Sequence, residues 1–593
     1  MHRFYLFHQE QNTALAPAGA WRVMPSRLFF PRRFVVSNLN RWDWALLSIV
    51  CALLFALAFA LSQITQPYSL GQQLPLSLDP WMLPYYLLRT MLRMFLALAA
   101  SLVFSCVFAA VAAKYAVAER LMIPLLDVLQ SIPILGFLSI SVAGFIAIFP
   151  GNLLGVECAA IFAIFTSQAW NMAFSLFQSF RSVPLELQEA AKVFQLSGWQ
   201  RFFRLELPFA MPGLLWNMMM SMSGGWFFVV AAEAISVANQ NIRLPGVGSY
   251  IAMAIEARDL SAIAWVIAFM LAGIALYDQL LFRPLTAWAD KFRFEETAGE
   301  MAPQSWLLKW LRRTNRVRFV VDRFVRALEY SLWMLRRRSA IRWIPEAPRE
   351  GLNRAVSVVL FVAASVALAW LVVFIHDRVG LAEVAHVFLL GFYTLLRVVI
   401  LIILAALFWV PVGVWIGLNP HWADRLQGVA QFCAAFPANL MFPVAVVLIL
   451  QWQLNPDVWL SPLMVLGTQW YLLFNVIAGA SGVPTDLRYA VQNLNLSGWL
   501  KWRRYLLPAV FPSLVTGAVT ASGGCWNASI VAEYVSWGSV TLQAQGLGSY
   551  IAHMTAVGDF PRVALGISVM CLFVMCLNRF VWHRLWQVAA DRV

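Results

Sequence analysis

Apolar runs about as long as a bilayer is thick recur along the whole chain, for example at 85–113 and 385–417. A helix needs roughly 20 such residues to cross the hydrocarbon core. Of the 593 residues, 61% are hydrophobic and only 12% are charged. The sequence therefore predicts an all-α polytopic membrane protein. We expect twelve spans, at 44–62, 85–113, 121–148, 154–176, 209–237, 260–281, 354–375, 385–417, 428–450, 457–479, 509–536 and 561–582.

The net charge of +14 is concentrated between spans. Arginine is dense at 22–41 and at 283–349, and no aromatic RNA-binding signature accompanies it. The positive-inside rule places such segments in the cytoplasm, and six spans between them satisfy the required parity. We therefore expect cytoplasmic N- and C-termini, and we expect a lipid bilayer as partner rather than a nucleic acid. The first 21 residues lack the order of a cleavable signal peptide, so span one is expected to insert uncleaved.

Cysteine and histidine spacing predicts neither a metal site nor a disulfide. The seven cysteines lie in or beside apolar runs without a Cys-x-x-Cys pair, and the seven histidines are scattered. No Gly-x-x-x-x-Gly-Lys-Ser/Thr phosphate loop occurs in the sequence. We therefore expect no catalytic residue, no cofactor and no bound ATP in this chain.

The two halves of the chain repeat each other at an offset of 300 residues. The stretch EAAKVFQLSGWQRFFRLELP ends at Pro208, and YAVQNLNLSGWLKWRRYLLP ends at Pro508. Farther upstream the register drifts, and we align YLLR ending at Arg89 with TLLR ending at Arg397. Each copy holds an even number of spans, so both copies insert in the same orientation. A pseudo-twofold axis along the membrane normal, with a pathway between the copies, follows.

The duplication and the charge pattern divide the chain into four parts. A basic cytoplasmic segment occupies 1–43, and a basic cytoplasmic linker occupies 283–352. Within the linker, 305–338 mixes apolar residues and arginines at helical spacing, which indicates a helix on the inner membrane surface or one that docks onto a cytoplasmic partner. The first repeat is 44–282, with its core at about 85–281, and the second repeat is 353–593.

Each repeat carries one strongly polar loop, which we call the first loop (about 180–208) and the second loop (about 480–508). Pro184 stands at the head of a helix-forming run, which predicts a short helix beginning there. A second short helix, roughly 198–206, is expected to follow before Pro208 starts span five. So small a helical pair cannot bury its apolar side against itself and needs a partner surface.

The first loop resembles the coupling loop, or EAA loop, of permease subunits in type I ATP-binding-cassette importers. That pattern is Glu-Ala-Ala, three residues, Gly, and then an apolar-x-Leu-Pro end. The stretches LDVLQSIPILGFL (126–138), GGWFFVVAAEAI (224–235) and GVGSYI (246–251) are similar to the nitrate, sulfonate, taurine and bicarbonate branch. The resemblance covers about 85–281 and 387–582. The chain thus resembles two permeases fused head to tail.

The resemblance implies two separate ATPase subunits, which bind ATP and Mg and dock on the two loops. It also implies a bacterial inner membrane, import of an organic or inorganic anion, and a periplasmic or extracellular solute-binding protein that delivers substrate near 239–258 and 539–559. The residues expected to couple to the ATPases are Glu189, Ala190, Ala191, Gln195, Ser197, Gly198, Trp199, Arg204, Ala490, Asn495, Ser497, Gly498, Trp499 and Arg504.

The loops depart from the family pattern in two ways. Gln195 and Asn495 replace the loop glycine, although glutamine tolerates a left-handed turn poorly. We therefore expect a reshaped turn in which Gly198 and Gly498 take the flexible role. In the second loop, Glu-Ala-Ala is replaced by Tyr-Ala-Val at 489–491. We expect asymmetric coupling, with the first loop contributing more.

Polar residues inside the apolar spans are candidates for the translocation pathway. Glu233 and Glu533 occupy equivalent places, where an ionised carboxylate costs at least about 2.5–3.5 kcal/mol unless it faces protein or water. A carboxylate hydrogen-bonded to a neighbouring helix is the structural alternative. Arg89 and Arg397 are the repeated cations that could offset them. The other candidates are Asn217, Asn527, Trp170, Trp470, Ser221 and Ser522, with further polar edges at Ser223, Thr520 and Ser529.

Two other classes remain open from the residues alone. A secondary transporter of six plus six spans would use Glu233 and Glu533 as proton carriers, but it gives no reason for two matched polar loops. A channel or structural assembly factor needs neither feature. Binding of an ATPase distinguishes the first hypothesis from both alternatives.

Overall fold

The computed structural model describes residues 74–237, 240–289, 378–483 and 485–590, with isolated positions at 58–59, 62, 66–68, 323, 358, 362, 365–366, 369 and 372–373. Four sequence predictions therefore lie outside the described residues, apart from those isolated positions. They are the spans 44–62 and 354–375, the basic segment 1–43 and the linker helix at 305–338.

The first repeat is helical, with one hairpin of strands β1 (Ala234–Val237) and β2 (Gln240–Arg243) that pair antiparallel. Two π-helical turns, Phe202–Glu206 and Asp278–Phe282, join consecutive helices. The helices are α1 (Leu83–Lys114), α2 (Ala116–Ser131), α3 (Ile134–Ile148), α4 (Leu154–Arg181), α5 (Leu185–Val193), α6 (Gly198–Arg201), α7 (Leu207–Glu233), α8 (Val247–Ala257), α9 (Leu260–Tyr277) and α10 (Arg283–Ala289).

The second repeat has the same order, with a hairpin of β3 (Tyr534–Trp537) and β4 (Val540–Gln543). Its π-helical turns are Trp502–Leu506 and Asn578–Trp582. The helices are α11 (Leu381–Leu418), α12 (Pro420–Ala435), α13 (Phe442–Gln451), α14 (Pro456–Trp459), α15 (Ser461–Leu466), α16 (Gln469–Ser481), α17 (Thr485–Asn493), α18 (Gly498–Lys501), α19 (Leu507–Ala532), α20 (Leu547–Val557), α21 (Phe560–Leu577) and α22 (His583–Ala590).

Seven helices of the described residues are long and apolar enough to cross a membrane. An eighth span results if Pro456–Leu466 and Gln469–Ser481, which meet at a bend of 44°, count as one. The fold class predicted from the sequence is thus confirmed, whereas the number of twelve spans is not. Residues 283–289, which the sequence assigned to the linker, continue the helix of span six to Ala289.

Two predicted spans are broken, because each contains a proline at an extended dipeptide. The span predicted at 121–148 divides at Pro133 into α2 and α3, and the span predicted at 428–450 divides at Pro437. The residue before each proline, Ile132 or Phe436, has ψ of 124°. Proline lacks a backbone donor and pushes the preceding residue out of the helical region, so both breaks occur at equivalent places.

Span five does not begin at Pro208, contrary to the sequence prediction. Helix α6 runs through the π-helical turn into α7, so that Gly198–Glu233 forms one continuous span. In the turn, the backbone N–H of Leu207 donates to the carbonyl of Phe202, five residues earlier. This wider turn accommodates the next residue, Pro208, which has no donor of its own. The second repeat does the same at Pro508.

Packing within each repeat centres on one helix. In the first repeat α4 lies against both α1 and α7, and in the second α16 lies against both α11 and α19. At one end of the protein the two repeats touch through their hairpins: the N–H of Gly538 donates to the carbonyl of Ile255 at 2.9 Å, and Arg258 donates to Ser539 at 2.8 Å. We call this the hairpin end. Both polar loops lie at the opposite end, the loop end.

Candidate functional site

The turn of each polar loop keeps a left-handed residue where the family has glycine. Gln195 and Asn495 both have φ of 49°. In the first loop the N–H of Leu196 donates to Ala191 at 3.0 Å and the N–H of Gln195 donates to Lys192 at 2.9 Å, which is the pattern of a Schellman C-cap. The expectation of a reshaped turn was therefore wrong. Of the two following glycines, Gly498 has a left-handed φ of 55°, whereas Gly198 does not.

Replacing Gln195 by glycine is expected to stabilise the first loop by about 1 kcal/mol, because glycine removes the steric cost of a left-handed L-residue. Asn495→Gly should gain less, since asparagine tolerates this conformation. Hydrogen exchange at the Leu196 and Leu496 amides measures both effects. Slower exchange at Leu196 in Gln195→Gly, with little change at Leu496 in Asn495→Gly, is the expected result, and equal changes would contradict it.

Each loop presents exposed aromatic and apolar side chains. Trp199 is 52% exposed and stacks on Phe203 with ring centroids 5.5 Å apart, and Trp499 is 77% exposed. Of the other predicted coupling residues, Ala191 is buried under its helix and three are partly buried, namely Ala190, Ser197 and Gly198. The exposed ones are Glu189, Gln195, Arg204, Ala490, Asn495, Ser497, Gly498 and Arg504.

The first loop is braced against the membrane helices by polar contacts. The buried Glu206 carboxylate lies 2.8 Å from Arg201 Nε and 3.2 Å from Lys114 Nζ, which belongs to α1. Arg201 also donates to Gln188 at 3.3 Å, which ties the two short helices together. A capping box between Ser197 and Gln200 fixes the start of α6.

The second loop has none of these braces among its described residues. Leucine stands at the positions equivalent to Gln200 and Glu206, namely Leu500 and Leu506. Ser497 makes no side-chain cap at the start of α18. The two loops thus share a backbone shape but differ in how firmly they are attached to the spans.

At the hairpin end, Glu233 and Glu533 lie at the ends of α7 and α19 rather than within apolar spans. Glu233 is fully buried. One of its oxygens accepts from Arg93 at 2.6 Å and from Thr90 at 2.6 Å, and the other accepts from the Gly248 N–H at 2.7 Å. The carboxylate therefore joins α1, α7 and the start of α8.

Glu533 repeats this arrangement in the second half. It accepts from Arg397 at 3.0 Å, from Thr394 at 3.0 Å and from the Gly548 N–H at 2.9 Å. By these contacts Arg397 corresponds to Arg93, and the alignment of Arg397 with Arg89 was wrong. The two arginines lie 304 residues apart, and Arg89 binds a different carboxylate.

A second carboxylate completes each buried cluster. In the first cluster Glu157 lies 2.6 Å from Arg89 and 2.6 Å from Arg93. Two cations thus face two carboxylates, all with side chains no more than 2% exposed. This arrangement satisfies each buried charge.

The second cluster is more open and holds one cation. Asp457, equivalent to Glu157, lies 3.2 Å from Arg397 and its side chain is 41% exposed. Tyr393 stands where a second arginine would correspond to Arg89. Water therefore stabilises part of the negative charge in this cluster.

The glycines of GVGSY and GLGSY allow the backbone to approach these clusters. A Cβ on Gly248 would lie 2.1 Å from the Val230 carbonyl oxygen, and one on Gly548 would lie 2.4 Å from that of Ser529. A Cβ on Gly246 would lie 2.3 Å from the Glu233 carboxyl carbon. The repeated motif is thus a requirement of close packing around a buried carboxylate.

The other predicted pathway residues are dispersed. Asn217 donates to Ser175 at 2.9 Å within its own repeat, whereas Asn527 accepts from the Ile134 N–H at 2.7 Å and so joins the repeats. Trp170 packs edge-on against Phe104, and Trp470 packs against Trp409. The remaining two, Ser221 and Ser522, are buried within α7 and α19.

Two cavities lie between the repeats. The first, the axial cavity, is lined by residues of both repeats: Ser223, Gly224, Phe227, Phe228, Ala434, Phe436, Ala438, Leu463, Met464, Gly467, Thr468, Tyr471, Gly524 and Ala528. The second, the side cavity, is lined by Trp216, Met219, Met220, Met222, Ser223, Trp226, Ile274, Tyr277, Asp278, Phe282, Phe432, Ala434, Ala435 and Phe474. Of the residues proposed for a pathway from the sequence, only Ser223 lines them.

The sequence analysis missed the partners in the buried clusters. Thr90 and Thr394 stand three residues before the two arginines, and Glu157 and Asp457 stand exactly one repeat apart. A search for acidic or hydroxyl residues that recur at the repeat offset would have found them. The signal was present, but it was spread over distant parts of the chain.

Comparison with known proteins defines the class. The family model of the binding-protein-dependent transport system inner membrane component matches the chain twice, at residues 102–282 and 409–586. The chain belongs to this family and carries two copies of its domain. It is a fused two-copy permease of the ATP-binding-cassette type, as its loops suggested.

Similar curated proteins come from several organisms. The bicarbonate transport system permease protein of Synechococcus elongatus is 27% identical over 184 residues, which cover 31% of this chain and 63% of that protein. The nitrate import permease protein of Synechocystis is 29% identical over 151 residues, which cover 26% of this chain and 49% of that protein. A putative permease of Methanocaldococcus jannaschii is 23% identical over 200 residues, 32% of this chain and 72% of that protein. The chain thus matches about half to two thirds of the length of the cyanobacterial proteins.

Proposed function

We propose that this chain is the membrane-spanning subunit of an ATP-driven importer and forms the pathway for a small solute. Two separate ATPase subunits would dock on the first and second loops and hydrolyse ATP bound with Mg. The observation that carries the proposal is the pair of matched loops at one end of the protein, each with an exposed tryptophan. Exposed aromatic side chains are typical of protein contact surfaces.

The orientation follows from the same arrangement. The loop end faces the cytoplasm, as do both termini, and the hairpin end faces outward from a bacterial inner membrane. A solute-binding protein would deliver substrate at the hairpin end, near 239–258 and 539–559. The four-part division of the chain, with its basic N-terminal segment and linker, belongs to this proposal.

Alternating access links the two ends. Closure of the ATPases would draw the loops together and open the repeats at the hairpin end, and release would reverse the motion. The buried carboxylates Glu233 and Glu533 take a structural part in this cycle: they hold each hairpin to its helices. Their arginine partners make proton carriage unnecessary to explain them, which weakens the case for an ion-gradient-driven transporter.

Co-purification with an ATPase tests the proposal. The double variant Trp199→Ala, Trp499→Ala is expected to lose bound ATPase, because both docking surfaces lose their largest exposed side chain. Trp170→Ala, Trp470→Ala is the matched control, since these tryptophans pack within the membrane part. Proton-coupled uptake by the purified chain without ATP would contradict the proposal.

A further inference from the structure

The axial cavity lies on the pseudo-twofold axis. Gly224 and Gly524 are equivalent residues and both line it, and so do the equivalent residues Phe228 and Ala528. Equivalent residues of both repeats meet at one cavity only at the axis that relates the repeats. A solute that crosses between the repeats therefore passes this point.

The polar groups of the axial cavity are few. The Ser223 hydroxyl donates to the Ala434 carbonyl at 2.5 Å, across the two repeats. The Thr468 hydroxyl lies 3.1 Å from Cys525 Sγ. The Tyr471 side chain is only 9% exposed, yet no hydrogen bond joins its hydroxyl to any residue that the structure describes. Tyr471 is thus the one hydroxyl of the three with a donor left for a solute.

The Tyr471 hydroxyl reaches across to the first repeat. A Cβ on Gly224 would lie 3.0 Å from the Tyr471 oxygen, so the glycine leaves room for it. In the first repeat the equivalent position holds Asn171. The donor is therefore supplied by one repeat alone, and the cavity has a polar side and an apolar side.

The rest of the lining is aromatic and apolar. The axial cavity adds Phe227, Phe228 and Phe436, and the side cavity adds Trp216 and Trp226. The two cavities share Ser223 and Ala434, whose hydrogen bond lies between them. The one charged residue in the two linings is Asp278, which faces Arg283 at 3.3 Å. Neither lining contains a lysine or an arginine among the described residues.

From this lining, and resting on the proposed function, we propose that the imported solute is a small organic molecule with a flat apolar body and one hydrogen-bond-accepting group. The Tyr471 hydroxyl donates to that group. A bare inorganic anion would lose its hydration here without a counter-charge, which is costly. Aromatic faces and thioethers instead favour an apolar ring. One donor then fixes its orientation.

Ligand binding to the full chain in lipid nanodiscs tests this proposal. The probes are benzenesulfonate, methanesulfonate, nitrate and bicarbonate at equal ionic strength, and the readout is quenching of tryptophan fluorescence together with the shift in Tm. Benzenesulfonate is expected to bind at least tenfold more tightly than the other three. Equal binding of methanesulfonate would overturn the flat apolar body, and equal binding of nitrate or bicarbonate would overturn the organic solute.

Two tyrosine variants test the role of the hydroxyl. Tyr471→Phe keeps the ring and should weaken benzenesulfonate binding about tenfold, the loss expected for a hydrogen bond to a charged group. Tyr505→Phe is the matched control, since Tyr505 is also 9% exposed and its hydroxyl also lacks a partner, but it packs in a separate cluster with Val410 and Val476. Unchanged binding in Tyr471→Phe, or equal weakening in both variants, would overturn the assignment.

ATPase co-purification on the same preparations separates this proposal from the importer function. Both tyrosine variants are expected to retain the ATPase, because neither residue lies on a loop surface. If the wild-type chain binds an ATPase but prefers inorganic anions, the solute class is wrong and the importer stands. If it binds benzenesulfonate but no ATPase, the importer is wrong and the site stands.

Discussion

Glu157→Gln is expected to lower the free energy of unfolding by about 3–5 kcal/mol, the loss typical of a buried ion pair deprived of one partner. The carboxylate contacts both Arg89 and Arg93, and all three side chains are almost completely buried. Without it, two guanidinium groups face Glu233 alone. Denaturant unfolding of the purified chain, followed by tryptophan fluorescence, measures the change.

The second cluster provides the matched control. Asp457→Asn should cost no more than about 1 kcal/mol, because Asp457 is 41% exposed and water screens its interaction with Arg397. A rescue variant adds a stricter test. Arg89→Gln in the Glu157→Gln background restores one cation to one carboxylate, so it should recover part of the lost stability. Equal losses in Glu157→Gln and Asp457→Asn, or no rescue, would contradict the interpretation.

Glu206→Leu is expected to lower coupled ATPase activity about tenfold and to abolish the advantage of the first loop. The substitution removes the anchor of Lys114 and Arg201 and makes the position identical to Leu506. A loss of about 1.4 kcal/mol in holding the loop corresponds to a tenfold lower population of its docking shape. ATPase activity of the assembled complex in nanodiscs, with and without solute, measures the effect.

Two comparisons make this second prediction specific. In the unmodified background Trp199→Ala should reduce coupled ATPase activity more than Trp499→Ala, because the braced loop transmits force better. In the Glu206→Leu background the two tryptophan variants should become nearly equal. Leu506→Met, a volume-conserving change in the unbraced loop, is the control and should have little effect. If Trp199→Ala and Trp499→Ala are equal from the start, the asymmetry does not exist.

The structural difference between the loops gives the asymmetry a physical basis that the motif alone did not. The sequence pointed to the missing Glu-Ala-Ala of the second loop, yet Glu189 is exposed and no ion pair is printed on it by the described fold. The larger contrast is Glu206 against Leu506, seventeen residues farther along the first loop. Attachment to the membrane helices, rather than the motif glutamate, distinguishes the two halves.

The sequence by itself determined the class of protein and its duplication. Apolar runs, the offset of 300 residues and the polar loops are local or periodic patterns, and the short helix that starts after Pro184 follows from local chemistry. The left-handed turn was harder to predict, because a residue as unfavourable as Gln195 adopts it only when the surrounding Schellman hydrogen bonds impose it. The prediction failed there because propensity is weaker than context.

Only the tertiary structure decided which charges meet and where the pathway lies. Arg93 lies 64 residues from Glu157 and 140 residues from Glu233, and spacing along the chain does not distinguish it from Arg89. The axial cavity likewise depends on two glycines that face each other across the repeats. Burial selects these partners, because an unpaired charge in the apolar interior is too costly to leave, and burial is a property of the folded chain.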